Sequence, residues 1–184
     1  DDVRSYLITD RIPFVIVGST IERANEITAV DNNNQLMGSE AANYLASLGH
    51  KQLAFISNTD SGEVFHERYQ GFVLKTQSLG LKGRLVKSKN KLDIGQATGL
   101  VVLDDILAIK VIQGLSEQGI SVPADVSVIS FNNSVFASLI HPYLTTFDIN
   151  IRQLGHRSVQ KLVHLLAYPD DFKEKVTVPF ELKV

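Results

Sequence analysis

The 184 residues predict an α/β fold in which parallel sheets are flanked by helices. Three observations carry the prediction. Short apolar runs rich in Val, Ile and Phe alternate with longer segments at helical spacing. Clusters of Asn, Asp, Ser and Thr follow the ends of successive runs. Several helical segments stop at a glycine, which accepts the left-handed backbone that ends a helix.

Taken in order, residues 4–9 read as a helix tail and 10–11 as a turn. Residues 13–18 form a continuous apolar run, expected as a strand buried on both faces. A second strand, 26–30, leads into the polar cluster 31–34. Over 36–48, Ala41, Ala42, Leu45 and Leu48 share one side of a helix that Gly49 ends. Strand 52–57 opens into a polar loop, 58–64, before the helix 67–78. Strand 100–103 precedes a helix over 106–118, with Asp104 and Asp105 at its positive end. Pro123 sets a turn before strand 126–131. Strand 144–149 leads to helix 151–166, for which Leu154, Val159, Leu162, Val163 and Leu166 are the expected core face. Residues 169–171 form a linker, and 177–182 a late strand whose Pro179 argues against a central place.

Hydrophobic residues make up 44% and charged residues 21%, a balance that excludes a disordered chain. A formal charge of −2 gives no global electrostatic reason to bind nucleic acid. Lys82, Arg84, Lys87, Lys89 and Lys91 form a local basic cluster, read as a solvated connecting loop. No cysteine is present, so disulfides and thiolate chemistry are excluded and a cytosolic setting is allowed. The chain contains no signal-peptide core and no apolar run long enough to span a bilayer.

In a parallel α/β sheet, ligands gather where loops and helix starts converge at the carboxyl ends of strands. Those places are 31–34, 58–68, 104–105, 132–133 and 148–150. Their carboxamides and carboxylates, with Arg68 as the strongest anchor, supply the paired donors and acceptors that a polyhydroxyl ligand needs. A sugar's apolar face also needs a flat surface, for which Phe65, Tyr69, Phe131 and Phe136 are candidates. Any one Asn or Asp alone reads better as a turn or cap; recurrence after successive strands is the signal. Catalysis has little support. The five histidines form no H-E-x-x-H, Ser57 and Ser130 lack a G-x-S-x-G frame, and no glycine-rich phosphate loop occurs. Asp104 and Asp105 could serve a magnesium enzyme, but no matching nucleophile signature accompanies them. No metal and no cofactor is expected.

Several segments together resemble the effector-binding core of the lactose/galactose repressor family. They are IPFVIVG (12–18), ITAVDNNN…G…AANYLASLGHKQLAFI (27–56), ERYQGF (67–72), LDDILAIKVIQGLSEQGISVPADVSVISFNN (103–133) and PYLTTFDINIRQLG (142–155). The stretches around 103–115 and 64–72 look similar to maltose-operon repressors of Gram-positive bacteria. The resemblance implies a two-lobed, type I periplasmic-binding-protein-like fold. Its expected parts are a remnant of the N-terminal lobe at 1–32 and a C-terminal lobe at 33–145. A return segment at 146–169 and a terminal strand of the C-terminal lobe at 170–184 complete it.

What the resemblance implies can be placed residue by residue. Arg68 corresponds to the arginine that clamps effector hydroxyls. Asn33 falls near a lobe crossing where a contacting acid or amide is usual. Asp104 takes the place of an effector-contacting Asn, with Asp105 as the helix-capping acid. Asn132 and Asn133 replace acids of the family pattern, which suits a neutral ligand. Phe131 is expected in the core more than as a platform, and Asp148 at a hinge or cleft. The implied partners are a sugar effector such as maltose or a related oligosaccharide, operator DNA through an N-terminal helix-turn-helix head, and a second copy in a homodimer. No membrane partner and a cytoplasmic location are implied. The family would place that head and further lobe segments before Asp1, and a helix plus a strand between Gly95 and Leu100, where the chain is too short for both. Competing readings are a periplasmic or membrane-anchored sugar-binding protein and, less well supported, an α/β enzyme.

Overall fold

The computed structural model describes residues 2–20, 25–88 and 92–184. The chain opens with α1 (Asp2–Thr9), β1 (Val15–Val17) and β2 (Thr28–Asp31). Then come α2 (Asn34–Ser47), β3 (Gln52–Ser57), α3 (Glu63–Ser78) and β4 (Lys82–Lys87). β5 (Gly99–Val102), α4 (Asp105–Ser116), β6 (Ser127–Phe131) and β7 (Thr145–Asp148) follow, with a 3-10 turn at Val135–Ser138. α5 (Ile151–Ala167), β8 (Lys175–Thr177) and β9 (Glu181–Lys183) close the chain.

These elements form two compact units, Asp1–Asn33 with Asn150–Pro179 and Asn34–Ile149 with Phe180–Val184. The smaller holds a parallel sheet in the order β1-β2-β8, with Val15 opposite Thr28 and Ala29 opposite Lys175. The larger holds six strands in the order β4-β3-β5-β6-β7-β9, all parallel except the β7–β9 pair. Its core gathers Phe55, Phe72, Phe131 and Phe147 with Leu53, Ile56, Leu100 and Ile129. The central strands β3, β5 and β6 are buried along nearly their whole length, as continuous apolar runs demand when helices cover a parallel sheet.

Several expectations need correction. Residues 82–87 of the basic cluster are not a loop but the edge strand β4, with Lys82, Gly83 and Arg84 exposed. Cations on an edge strand discourage pairing with another chain, which explains a strand that reads as polar. Lys89 and Lys91 lie outside the described residues. β1 is only half-buried rather than enclosed. The late strand expected at 177–182 is two short strands in different sheets: β8 pairs with β2 and β9 with β7. Pro179 sits in the break between them. β7 stays in the larger sheet through Asp148, so the chain returns to the smaller unit after Ile149 rather than Thr145, and remains there to Pro179 rather than Pro169. Residues 92–98 hold no helix, while the strand expected there is present as β5. Finally, α5 buries Leu154, Ser158 and Leu165, whereas Val159, Val163 and Leu166 face outward.

Candidate functional site

Arg68 organises the carboxyl end of the larger sheet. It lies one turn into α3, after the polar loop that follows β3, and only 5% of its surface is exposed. Nε donates to Asn34 Oδ1 at 2.9 Å, Nη1 to the Leu103 carbonyl at 2.8 Å, and Nη2 to Asn132 Oδ1 at 3.3 Å. The guanidinium carbon stands 4.4 Å from the centroid of the Phe131 ring. The start of α2, the end of β5 and the end of β6 thus hold one planar fork in place, with a cation–π contact beneath it.

Asn132 and Asn133 leave β6 with φ of 105° and 46°. Asn tolerates positive φ better than most residues, so the pair fits a turn that an ordinary side chain would strain. The Asn132 amide N–H donates to the Phe147 carbonyl, and Asn133 Nδ2 donates to Asp148 Oδ2 at 3.1 Å. That turn is braced from below by Asp105, which is 1% exposed. One Asp105 oxygen accepts from Ser130 Oγ at 2.6 Å and Thr146 Oγ1 at 2.7 Å. Its other oxygen accepts from the Ser134 amide at 2.6 Å. Three donors aimed at one buried carboxylate offset the cost of taking its charge out of water.

Of the adjacent acids, the one that caps the helix is not the one expected. Asp104 is the helix cap, with Oδ1 accepting from the Leu107 amide at 2.8 Å. Asp105 sits in the first turn and points into the protein. A shallow depression of about 350 Å³ at this end is lined by Asn58, Asp104, Asp105, Lys110, Asn132 and Ser134 among others. A cavity of about 810 Å³ lies at the other end, near the starts of β6 and β7. Its walls are mainly apolar side chains such as Leu48, Ile109, Ile112 and Ile140, with Gln113, Glu117 and His141 among the polar ones.

Of the residues singled out from sequence, Arg68, Asn132 and Phe131 come into direct contact. Asn133 and Asp148 bond to each other. Phe131 is fully buried and carries Arg68 rather than offering a face to a ligand. Phe65 and Tyr69 stack on each other at 5.7 Å, with Phe65 in the core and Tyr69 partly exposed. Phe136 stands on the 3-10 turn and is 47% exposed. Asn33 is exposed and belongs to the smaller unit. Sequence reasoning placed Asn34 in a polar cluster without a partner, weighed Ser130 only as a nucleophile, and gave Thr146 no role. Ser130 and Thr146 are paired in register on β6 and β7. Hydroxyls on two strands that flank the core were the available signal, because a buried hydroxyl needs a partner. Among the described residues, no group of three or more His, Asp or Glu could hold a metal, and no helix is long and apolar enough to cross a membrane.

Comparison with known proteins agrees with this architecture. The family model for the periplasmic binding protein-like domain matches residues 42–184. A candidate LacI-type transcriptional regulator of Bacillus cereus subsp. cytotoxis superposes with a TM-score of 0.88 at 32% identity, covering 99% of this chain and 70% of that one. The chain therefore belongs to the periplasmic-binding-protein-like family, in its LacI/GalR branch. A LacI family regulator of Enterococcus faecium, solved with bound ribose, gives 0.85 at 26% identity, covering 99% of this chain and 72% of that one. A candidate maltose-operon repressor of Staphylococcus aureus gives 0.89 at 25%, covering 100% and 70%. The chain spans about half the length of curated relatives such as an HTH-type transcriptional regulator and a candidate HTH-type transcriptional repressor of Bacillus subtilis.

Proposed function

We propose that this chain is the effector-binding and dimerisation core of a sugar-responsive, cytoplasmic transcriptional repressor, whose effector alters operator affinity through a separate helix-turn-helix head. The observation that carries the reading is Arg68, a buried planar fork held by Asn34, Leu103 and Asn132 at the carboxyl end of the sheet. Asn132 beside it, and Asn133, Asp104 and Asp148 at the ends of neighbouring strands, supply the donors and acceptors that vicinal hydroxyls take. The aromatic residues Tyr69 and Phe136, in the same unit, complete the proposed contact set. Nothing in this set is arranged as a nucleophile with its base, so the proposed role is binding without catalysis. The effector acts only through its different affinity for the two states of the protein.

Maltose or a related oligosaccharide is the proposed effector, supported by similarity to the staphylococcal maltose-operon repressor. Ribose, bound by the enterococcal relative, is the natural comparison sugar. Titration calorimetry with both sugars tests the reading. Arg68→Ala removes charge-assisted bonds worth about 1.5–3 kcal/mol each, so affinity should fall roughly tenfold to a hundredfold. Unchanged affinity would remove Arg68 from the site. Heat from neither sugar would reject the proposed effectors.

A further inference from the structure

We infer that Gly38 and Gly71 are positioning residues for Arg68, acting through the closeness of α2 and α3 rather than by touching a ligand. The inference rests on Arg68 being the effector anchor. A Cβ on Gly38 would lie 1.9 Å from the Arg68 carbonyl oxygen and 3.0 Å from its Cα. A Cβ on Gly71 would lie 1.8 Å from the Gln35 carbonyl oxygen and 2.9 Å from the Ser39 nitrogen. The contact is reciprocal: each glycine receives the backbone of the opposite helix. It also falls on the turns that carry the anchor. Gly38 follows Asn34 by four residues on α2, and Gly71 follows Arg68 by three on α3, so each pair shares a helix face.

Helix propensity gives neither position a reason to be glycine, since alanine is the better helix former. Gly114 in α4 is the internal comparison, because a Cβ there would meet open space. What the two glycines permit is backbone-to-backbone approach, and the 2.9 Å bond from Arg68 Nε to Asn34 Oδ1 bridges these same two helices. A methyl group at either glycine must push α3 from α2 by about an ångström to restore ordinary contact distances. The whole guanidinium would move with α3, loosening its bonds to Asn34 and to the Leu103 carbonyl together.

The first measurement needs no ligand. In ¹⁵N NMR the Arg68 Nε–Hε group, assigned by its disappearance in Arg68→Lys, should exchange slowly with solvent. Gly38→Ala and Gly71→Ala should each speed that exchange roughly tenfold or more, with core amides such as Ile129 and Val101 unchanged. Gly114→Ala should leave it unaltered. Unchanged Nε–Hε exchange in both glycine variants, or equal acceleration at the core amides, overturns the inference. The second measurement is titration with maltose. Gly71→Ala should weaken binding about tenfold in the native background and by less than about twofold in Arg68→Ala, the non-additivity expected when one residue acts through another. Equal losses in both backgrounds overturn it. If the unaltered chain binds no maltose, the maltose reading fails, while the exchange measurement still decides the positioning role. If neither glycine variant folds, Arg68→Lys decides: a lysine that binds maltose as well as arginine would show that the fork needs no positioning.

Discussion

At the scale of single residues, the two adjacent acids show how one position changes a role. Asp104 and Asp105 read alike in sequence, but only Asp105 is buried, with Ser130, Thr146 and the Ser134 amide all donating to it. Asparagine at 105 would keep the shape yet turn an NH₂ toward one of those donors. Asp105→Asn should therefore cost about 2–3 kcal/mol in urea unfolding, the penalty for leaving a buried donor unpaired. Asp104→Ala should cost only about 1 kcal/mol, the worth of a helix cap. The reverse ranking would restore the sequence-based assignment of the cap to Asp105. Arg68 was legible as an anchor because a guanidinium after a polar strand-end loop is unusual. Asn34 was not, because an Asn at a helix start is ordinarily a cap, and its bond to Arg68 spans a sequence separation that no local pattern encodes.

At the scale of elements, α5 shows where periodicity misleads. Its apolar residues are numerous enough to form two stripes, and the richer one, Val159–Val163–Leu166, is not the one buried against β1 and β2. Ser158 can enter the buried face because its Oγ donates to the Leu154 carbonyl at 2.7 Å, one turn back. Leu154 is 4% exposed and Val163 60%. Leu154→Ala should therefore cost about 2–4 kcal/mol of stability and Val163→Ala less than about 0.5 kcal/mol. Comparable losses at both positions, measured by denaturant unfolding, would contradict the observed face. The strand β4 failed to read as a strand for a related reason. An edge strand with an exposed outer face has no apolar run to announce it, and its pairing partner, β3, is settled only when the sheet assembles.

At the scale of the whole molecule, protonation links these parts to pH. His50 bridges the strand starts: Nδ1 lies 2.9 Å from Thr98 Oγ1 and Nε2 2.9 Å from Ser127 Oγ. Burial lowers its pKa below the usual 6.5, so the folded chain binds its proton less readily than the unfolded one. The stability it confers is complete above that value and is lost as pH falls below it. Asp60 and Asp171 add a second, more acidic window, because Lys87 and His164 beside them hold their carboxyls below 3.8. The melting temperature should decline first below about pH 6.5 and again below about pH 4. His50→Gln should flatten the first decline while sparing the second. A profile unchanged by that substitution would show that His50 is not the group responsible.

Local sequence was enough for the α/β class, for the order of most strands and helices, and for the strand ends proposed to hold the site. Those features are local: β3 and α2 follow from apolar spacing and from a glycine able to hold φ 95° after the helix. It also singled out Arg68, through residue chemistry placed after a strand. Assembly of the sheets settled which of them each late strand joins, with β8 and β9 parting at Pro179, and which face of α5 lies inward. It alone brought Asn34, Leu103, Phe131 and Asn132 onto one guanidinium. The physical reason is the same in each case. Pairing partners, buried hydrogen bonds and close helix approach join residues tens of positions apart, and their free energy exists only once the chain has brought them together.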